Sequence, residues 1–218
     1  MKSVNKVRVL MVVALALIVG ALTVASTQAN AAGAMRQQAQ IVWHPQSGSG
    51  PVAGAQMELV RNESGVSYNI QTHSLNPGHV YTVWFAVVNK PELCAVPYGC
   101  TPMDILTNAA VVDGDVVYAG GNIAGGSDLG GFGGHIAAGP LANSWFGNGF
   151  SNPLGGHIHI VLNDHGPKIP GMVSNMLHTY RGGCTDASLP GIFPATAFAD
   201  GIPGPNTCRL YQLAVFAP

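Results

Sequence analysis

The stretch Gly155-Gly-His-Ile-His-Ile-Val-Leu-Asn163 alternates between aliphatic and other side chains over most of its length. In a β-strand, side chains two positions apart point to the same face of the sheet. The alternation therefore directs one set of residues into a core, namely Ile158, Ile160 and Leu162. His157 and His159 share the opposite face, so the segment predicts a strand that presents two neighbouring imidazoles.

Further strands follow from the same pattern on both sides of this segment, with Pro- and Gly-rich turns between them. They are predicted at 39–44, 56–61, 66–73, 79–88, 109–112, 116–118 and 208–216. Apolar residues at helical spacing predict one short helix over 170–181, and residues 101–107 suit a helical turn. This spacing indicates an all-β antiparallel domain, either a Greek-key sandwich or a jelly-roll-like barrel.

A Pro-Gly turn precedes the strongest predicted strand and has a recognisable spacing. The segment Leu75-Asn-Pro-Gly-His-Val-Tyr81 resembles the tyrosine corner of Greek-key sandwiches, in which the Tyr hydroxyl hydrogen-bonds back across the corner. An ordinary turn followed by a strand tyrosine is the alternative interpretation. Both interpretations keep the chain all-β.

Four cysteines occur in the chain, and none of them lies in its first thirty residues. An even count in an exported chain predicts two disulfides, with three connectivities open. We expect Cys94 to pair with Cys100 and Cys184 to pair with Cys208. A zinc cluster is the rival interpretation, but neither pair has the C-x-x-C spacing typical of such sites.

The N-terminus has the layout of a secretory signal peptide. Three basic residues precede an apolar run of 17 residues at 9–25, and Ala29-Asn-Ala31 follows as a cleavage site. Residues 1–31 are therefore predicted to be a signal peptide, although an uncleaved membrane anchor is the alternative. Export predicts a secreted, periplasmic or cell-surface protein, with no membrane span remaining after cleavage.

The remainder of the chain is predicted to be a flexible leader at 32–38 and a single domain at 39–218. Beyond the signal peptide it contains ten acidic and six basic residues, a formal charge of −4. Nucleic-acid binding proteins usually present a basic stripe to the phosphate backbone. The composition therefore excludes nucleic acid as a partner and leaves a cell-surface or envelope partner as the expectation.

The H-x-H pair offers a candidate metal site, because neutral imidazoles are good ligands for zinc and copper. Other residues were considered as ligands to complete such a site: Asp164, His165, His178 and, if its strand pairs alongside, His135. The alternative is that His157 and His159 are simply polar residues on the polar face of a strand. The sequence thus suggests copper or zinc as the hypothetical metal.

Motifs typical of catalysis are absent from the sequence: it has no G-x-S-x-G elbow, no H-E-x-x-H and no Walker loop. Trp145, on a Gly-rich loop, is the tryptophan best placed to stack on a sugar. The first hypothesis is accordingly a non-catalytic, exported module with a binding or structural role. The second hypothesis is a copper or zinc metalloprotein, with enzymatic activity left open.

Several segments together resemble a family of uncharacterised secreted bacterial proteins. They are 83–91 with Cys94 and Cys100, 157–159 with 164–167, and 177–184. The resemblance implies export and a β-rich domain, but no activity. His157-Ile-His159 and the later His-Gly-Pro also resemble, more distantly, chordin-type repeats, although those keep the His, Gly and Pro contiguous. Copper–zinc superoxide dismutases are similar in having an H-x-H strand, but their further ligands do not map onto this chain.

Overall fold

The computed structural model describes residues 26–29 and 33–218. The predicted signal peptide lies outside the described residues except at 26–29, where the backbone forms a short strand. In the described part, no helix combines the length and the apolar character needed to cross a membrane.

Strands dominate the described chain. They are β1 (Ser26–Ala29), β2 (Met35–Trp43), β3 (Pro51–Asn62), β4 (Gly65–Thr72), β5 (His79–Val88), β6 (Gly114–Ile123), β7 (Gly130–Ala137), β8 (His157–Pro167) and β9 (Arg209–Phe216). The helices are short: α1 (Pro102–Val112), α2 (Val173–His178) and α3 (Ala195–Ala199). The prediction of a mostly β domain is confirmed.

The strands form one antiparallel sheet in the order β6-β5-β8-β9-β2-β3-β4-β7, and β1 adds to β2. The two end strands, β6 and β7, lie beside each other, so the sheet is rolled into a nearly closed barrel. In a Greek key, three consecutive strands are followed by a fourth that returns beside the first. Here β5, β6 and β7 are the three consecutive strands, if the neighbouring end strands β6 and β7 are counted as adjacent. The fourth strand, β8, returns beside β5.

The barrel interior contains the aliphatic face that the sequence predicts for β8. Ile158, Ile160 and Leu162 are all at most 3% exposed and belong to the main hydrophobic cluster. A void of about 10 Å³ beside Ile160 and Gln212 holds at most a single water molecule. The described interior is therefore a packed core.

A second layer covers the outer face of β5 and β8, so that both strands are buried on two sides. Loops around both disulfides form this layer together with an aromatic group that includes Trp84, Trp145 and Tyr180. The disulfides are Cys94–Cys100 and Cys184–Cys208. Both predicted pairings are confirmed.

The tyrosine corner is also present. The Tyr81 hydroxyl accepts a hydrogen bond of 2.9 Å from the backbone N–H of Asn76, five residues earlier. This contact fixes the turn that leads into β5, as the Leu75–Tyr81 spacing predicts.

Three local predictions differ from the structure. The strand expected at 39–44 begins at Met35 and so includes part of the predicted leader, because Gln37 is buried and continues the alternation. One short helix is predicted, whereas residues 33–218 contain three, and the helix predicted over 170–181 is confined to Val173–His178.

The third difference is the strand predicted at 109–112, which is wrong because these residues belong to α1. The helix starts with a capping box, in which Asp104 accepts hydrogen bonds of 2.8 Å from the backbone N–H and the hydroxyl of Thr101. It ends at Asp113, whose left-handed backbone (φ 53°) closes the last turn. These caps outweigh the β-branched residues inside the helix.

Candidate functional site

His157 and His159 lie side by side on the outer face of β8, opposite Val88 and Ala86 of β5. Their ring centroids are 5.0 Å apart, with 37° between the ring planes. The prediction that they share one face is confirmed. They are nevertheless 3% and 5% exposed, because the loop that follows β5 folds back over them.

Each imidazole of this histidine pair donates one hydrogen bond to that loop. The Nδ1 of His157 lies 3.2 Å from the carbonyl oxygen of Tyr98, and the Nε2 of His159 lies 3.1 Å from the carbonyl oxygen of Cys100. A carbonyl oxygen only accepts, so both of these nitrogens carry the proton. The pair therefore fastens the Cys94–Cys100 loop to the barrel wall.

The lone-pair nitrogens of the pair point away from these contacts. In the described part of the chain, the Nε2 of His157 is buried and has no hydrogen-bond partner. Buried polar atoms without a partner are rare in native proteins and call for an explanation. The pair therefore includes one acceptor that no described residue uses.

Burial keeps both rings neutral. Burial and, to a smaller extent, the neighbouring His157 lower the pKa of His159 to about 3, against the opposing effect of the Cys100 hydrogen bond. Burial also lowers the pKa of His157, to which Arg61 contributes in the same direction. Both rings are consequently neutral at physiological pH, the form in which imidazole binds a metal.

His165 lies apart from the histidine pair, and both of its ring nitrogens form hydrogen bonds. Its Nε2 lies 2.8 Å from the Thr82 hydroxyl, and its Nδ1 lies 2.8 Å from the carbonyl oxygen of Gly182. Burial lowers its pKa to about 4. Both nitrogens are engaged, so this ring acts as a structural link between β8, β5 and the second layer.

In the described residues, one group of three potential metal ligands is close enough to share an ion, namely His165, Cys184 and Cys208. The two sulfurs are joined in a disulfide. The His165 Nδ1 also donates its proton to Gly182. This group is therefore committed to other bonds.

Asp164 lies at one end of the barrel and does not join the histidine pair. Its carboxylate accepts hydrogen bonds from His79 (2.9 Å) and from the backbone N–H of Gly166 (2.8 Å). Arg209 approaches the same carboxylate at 3.4 Å. Sequence reasoning did not single out His79 or Arg209, because the fold alone brings the start of β5 and the start of β9 to Asp164.

His135 and His178 are exposed and lie on other elements. His135, on β7, is 3.0 Å from the hydroxyl of Ser67. His178 ends α2, where its Nδ1 donates to the carbonyl of Ser174 and its ring packs 6.0 Å from that of Tyr118. The structure thus brings together two of the six predicted ligands, His157 and His159.

Trp145 is 6% exposed and lies inside the second layer. Its ring is surrounded by Trp84, Tyr180 and Phe193, with centroids 5.0–5.4 Å away. The ring faces are covered, so they offer no platform on which a sugar can stack.

The uncovered half of the barrel carries a surface that sequence reasoning did not identify. On the outer face of β2, β3 and β4, five amide side chains are exposed: Gln38, Gln40, Gln56, Asn69 and Gln71. We call this surface the amide face. Its signal in the sequence is the set of outward-facing residues in the alternating strands. The sequence-based prediction used only the inward-facing residues, which identify the core.

Strand register arranges the amide face in rows. Gln40, Gln56 and Gln71 are direct cross-strand partners, and the row continues to Gly131 on β7. Gln38 and Asn69 flank Glu58 in the next row, which ends at Gly133. Directly opposed side chains in a sheet are about 5 Å apart. The amides therefore form a regular grid of donors and acceptors.

The amide face carries almost no net charge. Its one acidic residue, Glu58, forms a 3.0 Å ion pair with Arg36 on the neighbouring strand. Each amide side chain offers both a carbonyl acceptor and an NH₂ donor. The face is thus suited to a neutral ligand that also donates and accepts.

Glycines of β7 leave the edge of the amide face bare. A Cβ on the inward-facing Gly134 would lie 2.9 Å from the Tyr68 ring, so packing explains that glycine. A Cβ on the outward-facing Gly131 or Gly133 would meet its nearest neighbour at 3.9 or 3.4 Å, an ordinary contact. Strand glycines without a packing role often mark a close approach by a ligand or another backbone.

Comparisons of the chain with protein-family models, with curated proteins and with solved structures found no match. The resemblance to secreted bacterial proteins therefore stays a prediction. The histidine pair and the amide face are the features whose geometry indicates a function.

Proposed function

We propose that this chain is an exported, non-catalytic binding module that attaches to a neutral polysaccharide of the cell surface or envelope. The observation that carries this proposal is the amide face, an exposed and charge-balanced grid of five amides on the uncovered half of the barrel. Sugar hydroxyls act both as donors and as acceptors, and so do side-chain amides.

Two further features support a binding role outside the cytoplasm. The two disulfides suit an oxidising compartment. Two of the groups with acid–base capacity on β8, His159 and His165, are buried, neutral and bonded to other parts of the chain. The barrel thus serves as a rigid support, and its exposed sheet face is the surface available for contact.

Binding to glucan and to chitin particles, measured by co-sedimentation of the purified mature protein, tests the proposal. Replacement Gln56→Glu/Gln71→Glu puts two carboxylates opposite each other in one row of the face. The two carboxylates repel each other and cannot donate hydrogen bonds as the amides do. The replacement should therefore weaken binding by about tenfold, or 1.4 kcal/mol.

Thr107→Glu/Val111→Glu is the matched control, since it adds two carboxylates to exposed positions of α1, away from the amide face. Binding by this control should equal that of the native protein. Equal losses in both variants, or no binding of the native protein to either particle, would contradict the proposal.

A further inference from the structure

The histidine pair has the arrangement of a metal site whose supporting hydrogen bonds are already in place. Metal-bound histidines usually donate their second ring N–H to a carbonyl or carboxylate, which orients the ring. His157 and His159 each make such a bond, to Tyr98 and Cys100 of the same disulfide loop. The loop therefore orients both rings before any ligand arrives.

The second nitrogen of each ring carries no proton and can bind a metal. The tautomers imposed by the two carbonyls leave a lone pair on the Nε2 of His157 and on the Nδ1 of His159. The first of these is buried without a partner in the described chain. Ring centroids 5.0 Å apart allow both nitrogens to bind one ion at about 2 Å only in a bent N–metal–N arrangement.

We propose that His157 and His159 bind one Cu⁺ ion between strand β8 and the Cys94–Cys100 loop. Imidazole is a good copper ligand, and Cu⁺ accepts a low coordination number. A site with two neutral ligands suits a monovalent ion better than Zn²⁺, which usually takes four. This site lies on the covered half of the barrel and is independent of the amide face.

Anaerobic titration of the mature, tag-free protein with Cu⁺ against a chromophoric copper chelator tests the proposal. One Cu⁺ should bind per chain, and X-ray absorption should show nitrogen ligands without sulfur. His157→Asn/His159→Gln keeps the donor at the Nδ1 position of His157 and at the Nε2 position of His159. It removes both lone-pair nitrogens while the loop stays anchored, and should weaken Cu⁺ binding by about a hundredfold or more.

Two controls make the result decisive. His135→Ala/His178→Ala removes two exposed histidines and should leave Cu⁺ binding unchanged. The single variant His157→Asn, checked by circular dichroism, covers the case in which the double variant does not fold. Failure of the native protein to bind Cu⁺, or undiminished binding by a folded His157→Asn protein, overturns the proposal.

Discussion

Arg61 donates a hydrogen bond of 2.7 Å from its guanidinium to the carbonyl oxygen of Gly156, at the residue before β8 begins. The same group contacts Gln37 of β2 at 2.6 Å and the carbonyl of Phe216 of β9 at 3.4 Å. Arg61 is fully buried, and its burial lowers its pKa to about 10. Neutral oxygen atoms from two strands and from the loop before β8 therefore hold this positive charge.

Arg61→Met should destabilise the protein by several kcal/mol, because each buried acceptor left without a donor costs about 1–3 kcal/mol. Urea unfolding monitored by tryptophan fluorescence measures the change. Arg36→Met is the matched control, because Arg36 forms a solvent-exposed ion pair with Glu58 that should contribute less than about 1 kcal/mol. Similar losses in the two variants would show that Arg61 does not hold the strand ends together.

Acid should destabilise the fold through its buried histidines. The pKa values of His159 and His165 fall from 6.5 to about 3 and about 4 on folding, so the unfolded chain binds more protons between those values and 6.5. Stability is therefore complete above about pH 6.5 and declines as the pH falls toward 4. Each histidine contributes a slope of about 1.4 kcal/mol per pH unit inside this window.

The free energy of unfolding in urea, measured from pH 7.5 to pH 4.5, tests this slope. His165→Asn should reduce the slope even though it also lowers the stability at neutral pH. His178→Asn, at an exposed position of α2, is the comparison. A flat profile, or an unchanged slope in His165→Asn, would contradict the role of the buried ring.

The two disulfides should differ in their contribution to stability. Cys184 and Cys208 are separated by 24 residues, whereas Cys94 and Cys100 are separated by six. Loop-closure entropy predicts a loss of about 3.5 kcal/mol for the longer loop and about 2.4 kcal/mol for the shorter one when the cysteines are changed to serine. Thermal melting of the two double variants should show the lower midpoint for Cys184→Ser/Cys208→Ser; the reverse order would rule out loop length as the main factor.

Neighbouring glycines of β7 should respond oppositely to alanine. Gly134→Ala forces the Tyr68 ring to move and should cost about 1–3 kcal/mol. The Cβ of Gly133→Ala meets its nearest atom at 3.4 Å, an ordinary contact, and should stabilise the fold by up to about 1 kcal/mol, since it restricts the unfolded chain. Urea midpoints of the two variants check this, and equal tolerance would contradict the inward orientation of Gly134.

Local patterns were sufficient to predict several parts of the fold. Alternation places Ile160 inward and His159 outward, and the Pro-Gly spacing indicates the Asn76–Tyr81 corner. Loop spacing also favoured the correct cysteine pairs. Each of these features depends on residues close in sequence, or on a period that the backbone imposes, so the sequence contains the information directly.

Features that depend on distant segments were not predictable in this way. His159 alternates like a surface residue, but a loop about 60 positions earlier covers it, and no local pattern signals that contact. The last turn of α1, at 109–112, was mistaken for a strand because Val111 and Val112 favour strands, whereas the Thr101–Asp104 cap decides the conformation. The amide face required the register of three strands, which only the folded sheet supplies.

The barrel should open locally between its two end strands, β6 and β7. Tyr68, on β4, reaches past Gly134 of β7, and its hydroxyl donates a 2.7 Å hydrogen bond to the carbonyl of Ala119 on β6. The other neighbouring strands are joined by backbone ladders. Burial raises the pKa of Tyr68 to about 12, so the hydroxyl keeps its proton at physiological pH. A side-chain hydrogen bond thus helps to close the barrel, and transient opening should start where β6 meets β7. The backbone amide protons of β6 and β7 should then exchange with solvent faster than those of β5 and β8.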